Sequence, residues 1–172
     1  MNHERYLDLA IEEAEIARSE GSLPVGSVVV RADGQVISRG RNRALSQGDQ
    51  TAHAETDAIR NAGRVLAPAV PGKMPTFMAG SGHILYTSAE PCLMCLGAIL
   101  VCTIETVVWA ADSVTGSPYE AVVNTGYQNE RLKALKVVKE ASSEHRSRSR
   151  ALLREFHEKQ GNVQLARLFE QP

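Results

Sequence analysis

The sequence predicts a single α/β domain in three layers, with a central mixed five-stranded sheet and helices on both of its faces. Three observations point there. The β-branched run Val25-Gly26-Ser27-Val28-Val29-Val30 leads through the turn residues Ala32-Asp33-Gly34 into a second extended stretch, which is a hairpin pattern. Beyond the hairpin, helical and strand patterns alternate along the chain. At 172 residues, 43% of them hydrophobic and 23% charged, the chain can bury one sizeable core but is short for two ordinary domains.

Taken in order, Leu7, Ala10, Ile11, Ala14 and Ala17 recur at helical spacing and predict a helix over Tyr6 to Ser19, stopped by Gly21. The hairpin strands follow at Val25 to Val30 and Gln35 to Arg39. A polar loop then leads to a helix starting near Thr51 and ending at Asn61 or Ala62, with Gly63 just past it. Residues 67–82 hold three prolines and three glycines and read as a long surface loop. A strand (His83 to Thr87), a helix (Cys92 to Cys102) and a strand (Glu105 to Ala110) come next. Residues 112–128 are turn-rich and carry no assigned element, and Ala134 to Val138 reads as the fifth strand. A helix carrying Leu152, Leu153 and Phe156 precedes an apolar tail, Leu165 to Phe169. Together these form a C-terminal helical extension, about 143–172, of one domain spanning 1–172.

The bulk properties narrow the function classes. No apolar run reaches the roughly 18 residues that a membrane span needs, and the N-terminus has no apolar signal region. Three cysteines, an odd number, do not make a disulfide framework; thiol or metal chemistry in a reducing, cytoplasmic setting is the expectation. A net charge of −1 gives no global footprint for nucleic acid or an anionic surface, although a local basic patch stays open.

The chemistry concentrates in two short stretches. In Pro91-Cys92-Leu93-Met94-Cys95 the cysteines are three apart, on one face of a helix, with Pro91 suited to its first turn. Sulfurs at a helix N-terminus are biased toward thiolate, which fits a redox pair as well as a metal site; the plainer alternative is two buried core cysteines. The second stretch, His53-Ala54-Glu55, opens the preceding predicted helix. Three protein ligands with one position left for water is the common plan of a catalytic zinc site, and His53, Cys92 and Cys95 would supply them. Zinc lowers the pKa of bound water to near 7, and Glu55 beside it could take that proton and deliver it elsewhere. His-x-Glu followed by Pro-Cys-x-x-Cys is the general signature of zinc deaminases.

On these residues the chain resembles the cytidine deaminase-like superfamily, in the branch of guanine deaminases, fungal cytosine deaminases and tRNA adenosine deaminases. The resemblance covers about Tyr6 to Val138 and includes Pro24 to Val30, Gly40-Arg41-Asn42-Arg43 and Thr106 to Ala111. It implies His53, Cys92 and Cys95 as ligands of one zinc, Glu55 as proton shuttle and Asn42 as a hydrogen-bond partner of the base. Ala54, Glu90, Trp109 and Asp112 are the further candidate substrate contacts. It also implies a homodimer or related oligomer. Tyr86 to Ile99 is most similar to bacterial guanine deaminases, whereas Ser46 to His53 and Ile59 to Arg64 resemble the fungal cytosine enzymes. The expected reaction is hydrolytic deamination of a free nucleobase or related aminated heterocycle. The rivals are a tRNA adenosine deaminase and a non-hydrolytic zinc or redox protein.

Other features have plainer readings. Cys102, seven residues after Cys95, reads as a buried inert thiol. Trp109 reads as core or pocket rim, and Asp112 stands where strands of such sheets open onto a ligand crevice. Arg146, Arg150 and Arg154 share a helical face that reads as solvated, so nucleic acid is not an expected partner. His3, His83, His145 and His157 have no partners at ligand spacing and read as incidental.

Overall fold

Strands β1 (Gly26–Val30), β2 (Val36–Arg41), β3 (His83–Ala89), β4 (Ile104–Ala111) and β5 (Lys136–Val138) form one sheet in the order β2-β1-β3-β4-β5. The computed structural model describes residues 2–66, 82–102, 104–127, 129–139 and 141–170. β1 runs antiparallel to β2 and β3, while β3, β4 and β5 are mutually parallel, so the sheet is mixed as predicted.

The pleat explains the layers. Val29, Leu85 and Val107 with Val137 form one row across β1, β3, β4 and β5, and Val28, Tyr86, Val108 and Val138 form the adjacent row. Because neighbouring residues point to opposite faces, the two rows belong to two separate cores. The first row packs against Ala58 and Ala62 of α3 (Ala54–Ala62) and Leu96 and Ile99 of α4 (Leu93–Val101). The second packs against Tyr6 and Leu7 of α1 (His3–Ser19). Every residue of β1 is buried, as expected for a strand covered on both sides. On the α1 side, Leu152 of α7 (Ser143–Lys159) packs between Ile11 and Ala14, so the C-terminal segment is part of the outer layer.

The remaining α-helices are short: α2 (Ala44–Gln47), α5 (Pro118–Asn124), α6 (Glu130–Ala134) and α8 (Val163–Leu168), and a 3-10 turn, Gly63–Val65, follows α3. Three expectations need correction. Pro91 lies before the N-cap residue Cys92 and therefore outside the helix, not in its first turn. Residues 112–128 do contain a helix, α5, begun by Ser117, whose hydroxyl accepts the Glu120 N–H at 3.1 Å, and by Pro118 at its first position. The tail after α7 is helical, as α8. The surface loop expected at 67–82 lies outside the described residues except for Gly82.

Gly40 fixes how closely α3 approaches the sheet. A Cβ there would fall inside the backbone of Ala54 and Ala58. Gly40→Ala is expected to push out the first turn of α3, at a cost of about 1–3 kcal/mol. A lowered melting temperature together with reduced bound zinc would follow; a variant matching the parent in both would show that α3 does not depend on this contact.

Candidate metal centre and substrate cavity

The parallel strands β3 and β4 end side by side, where the Glu90 N–H donates to the Ala111 carbonyl at 2.8 Å. Helix starts converge on this edge. His53 is the N-cap residue of α3 and Cys92 that of α4, both with extended backbone, and Cys95 lies in the first turn of α4. Residues 39 and 42 positions apart in sequence are thus brought together at two positive helix ends.

Their geometry tests whether a metal fits. His53 Nδ1 lies 3.5 Å from Cys92 Sγ and 3.6 Å from Cys95 Sγ, and the two sulfurs are 3.6 Å apart. A tetrahedral zinc with bonds of about 2.3 Å to sulfur and 2.0–2.1 Å to nitrogen requires donor separations of roughly 3.5–3.8 Å. The three donors therefore match a tetrahedral face, and they are too far apart for the roughly 2.05 Å bond of a disulfide. Without metal, hydrogen bonds from Cys95 and then His53 lower the Cys92 thiol to about 3, while its bond to Cys92 and burial push Cys95 up. His53 is raised, chiefly by its hydrogen bond to Cys92. Such a strained sharing of protons is relieved when a divalent cation replaces them.

Glu55 is 3% exposed, and Thr87 Oγ1 of β3 donates to its Oε1 at 3.4 Å. Burial raises its carboxyl above the usual range. With His53 and Cys92 it lines a cavity of about 230 Å³. That is smaller than the roughly 300–1,000 Å³ typical of drug-sized ligands and suits a single heterocycle.

Asn42 lines the same cavity and is buried. Its N–H donates to Val25 O at 2.9 Å, and its Oδ1 accepts the Ala44 N–H at 3.1 Å. That bond fixes the amide orientation and leaves Nδ2 as the group available to a ligand. Glu90 and Asp112 are also in the wall. Both Glu90 oxygens are engaged, one by the Ser113 N–H at 3.0 Å and one by the Ser117 hydroxyl, so its carboxylate clamps the loop after β4. Asp112 Oδ1 accepts the Trp109 indole N–H at 2.7 Å. Trp109 itself is 3% exposed in the core beside Tyr119 and is not in the cavity wall. The Ala54 side chain is likewise off the wall, packed against Val25 and Leu153.

The sequence left open which C-terminal residues form the far wall. It comes from Leu153 and His157 of α7 and from Leu165 and Phe169 at α8. The His157 ring stacks on Phe169, with centroids 5.7 Å apart and planes 9° from parallel, so His157 is not incidental. His145 is not either: its backbone N–H donates to the hydroxyl of the N-cap residue Ser142, its Nδ1 lies 2.6 Å from that oxygen, and its Nε2 approaches Asp8 at 3.3 Å. The signal for the wall was the i, i+4 spacing of these residues, but nothing local indicates which surface they cover. Cys102 is half-buried, raised by burial, and takes no part in the donor cluster.

A mixed α/β sheet with two cysteine sulfurs and an imidazole at its carboxyl edge, and a buried glutamate beside them, has the donor set of a zinc-dependent deaminase. Residues 1–111 match the cytidine and deoxycytidylate deaminase zinc-binding region, and the chain belongs to that family. Zinc is its cofactor, and the His53, Cys92 and Cys95 cluster fits it. The chain is 41% identical over 113 residues to a guanine deaminase of Bacillus subtilis (strain 168), covering 65% of this chain and 66% of that one. It is 35% identical over 102 residues to a cytosine deaminase of Candida albicans, covering 59% and 61%. Among solved structures, a tRNA:A34 deaminase of A-to-I editing aligns with a TM-score of 0.67 at 32% identity, over 87% of this chain and 99% of that one. These relatives share the deaminase chemistry but differ in substrate. Their presence also removes the near-neutral charge as grounds for excluding nucleic acid.

Proposed function

We propose that the protein deaminates a free nucleobase of the guanine or cytosine type, or a related aminated heterocycle, by hydrolysis. The observation that carries this reading is the small cavity on which His53, Cys92, Glu55 and Asn42 converge, with α7 and α8 closing its far side. Bound zinc, held by His53, Cys92 and Cys95, supplies Lewis acidity and lowers the pKa of water to near 7. Asn42 Nδ2 offers a donor, so the substrate must present an acceptor, which the carbonyl oxygen of guanine or cytosine provides. Glu55 first carries a proton to the ring nitrogen beside the amine-bearing carbon, raising that carbon's electrophilicity. It then protonates the departing amine; water supplies the new carbonyl oxygen and ammonia leaves. A homodimer is part of the same proposal: α4 exposes Leu93, Met94 and Val101, which a second copy would cover.

A panel of free bases, nucleosides, aminotriazines and unmodified tRNA, read by ammonia release, tests the proposal. Turnover of a free base and none of tRNA is expected; tRNA turnover with no free-base activity would select the editing reading instead. Within that assay, Asn42→Ala is expected to lower kcat/KM by the equivalent of about 1–3 kcal/mol, the cost of a lost buried hydrogen bond, with zinc content unchanged. An unaltered kcat/KM would remove Asn42 from the substrate contacts.

A further inference from the structure

The arginines of α7 are not all alike. Arg148 is paired, at 2.8 Å to Asp8 and 3.8 Å to Glu15, as are Arg18 with Glu155 at 2.7 Å and Arg41 with Glu20 at 2.7 Å. Arg146, Arg150 and Arg154 lie at i, i+4 and i+8, a stripe about 12 Å long. They line a second cavity of about 370 Å³, with Ser147, Phe169 and Glu170 among its other walls. Among the described residues no carboxylate lies within 4.0 Å of Arg146 or Arg150. Arg150 Nε is buried without a hydrogen-bond partner, and its Nη2 reaches only the Leu168 carbonyl, at 3.5 Å. Arg154 has only the exposed Glu158, at 3.6 Å. Arg146 and Arg150 are half-buried and Arg154 is exposed, and a merely solvated stripe would not gather such poorly paired guanidiniums around a concavity.

We infer that this groove is a phosphate subsite. A guanidinium fork matches phosphate oxygens two at a time, and several forks facing one concavity exceed what a single carboxylate ligand could satisfy. Glu170 opposes the bound anion and limits its affinity. Phe169 stands in the walls of both cavities, so the groove lies on the other side of the ring that closes the base cavity. The subsite is separate from the deamination machinery and does not depend on which base is turned over. The phosphate comes either from a small phosphomonoester or from a polynucleotide backbone.

The test titrates the zinc-loaded full chain with inorganic phosphate, with guanosine monophosphate against guanosine, and with a short single-stranded oligonucleotide. The phosphate-bearing probe of the matched pair, or the oligonucleotide, is expected to bind about tenfold more tightly than the nucleoside. Arg146→Ala with Arg150→Ala should abolish that gain, Glu170→Gln should enlarge it, and free-base turnover should stay unchanged in both. A gain shared by inorganic phosphate and the monophosphate assigns a small-molecule source. One confined to the oligonucleotide, and falling steeply with salt, assigns a polynucleotide. No gain with any phosphate-bearing probe, or a gain that survives the folded double variant, overturns the subsite. If the double variant fails to fold, Glu170→Gln alone decides, because unchanged phosphate affinity there contradicts a site with that carboxylate in its wall.

Discussion

Glu55→Gln is expected to keep its zinc and its melting temperature while losing at least about 10²–10⁴-fold in turnover, the usual share of a proton-transfer group. The substitution conserves shape, so the buried pocket beside Thr87 stays filled and only the capacity to carry a proton is lost. Several features make this residue the natural carrier. It is 3% exposed, its carboxyl is raised by burial, and it shares the cavity wall with His53 and Cys92. A carboxyl whose charged form is disfavoured by burial is suited to take up a proton and pass it on. Substrate binding by the variant, measured separately from turnover, should persist. Retention of more than about a tenth of the parent rate would remove Glu55 from the proton-transfer role.

The second large effect concerns the cysteines. Cys92→Ala and Cys95→Ala are each expected to abolish stoichiometric zinc and, with it, activity. Metal binding free energy is also folding free energy, because the unfolded chain holds no preformed site. The starts of α3 and α4 are linked directly through His53 and the two sulfurs, so loss of metal should loosen both and lower the melting temperature. Cys95 is fully buried and Cys92 partly so, and the Cys95 variant should therefore lose more stability. Elemental analysis and thermal melts with and without a chelator read both effects. Full zinc occupancy in either variant would contradict the ligand set.

The zinc centre was legible in the sequence because each of its parts is local. His53 and Glu55 open one helix, Cys92 and Cys95 another, and residue type with spacing fixes the chemistry that the helix starts then bring together. The hairpin was legible for the same reason, since the unbroken apolar run Val28, Val29 and Val30 already marks a strand buried on both faces. Helix α5 had a readable start in Ser117, Pro118 and Glu120, obscured by the glycines on either side, Gly116 and Gly126. The C-terminal wall was not legible. Leu153, His157, Leu165 and Phe169 lie far along the chain from both zinc motifs, and their spacing shows an apolar face without naming its partner. For Trp109 a position at a strand end left core and rim equally open, and packing against Tyr119 places it in the core.

The central claim is that this cavity replaces an amine by an oxygen taken from water. It is tested most directly by running the reaction of the free base that turns over in heavy-oxygen water, with the product read by mass spectrometry and ammonia counted in parallel. The product is predicted to carry a single heavy oxygen at the carbon that bore the amine, with one ammonia released per product and neither in Glu55→Gln. Product lacking the label, or any free-base turnover without matching ammonia, would contradict hydrolytic deamination at this site.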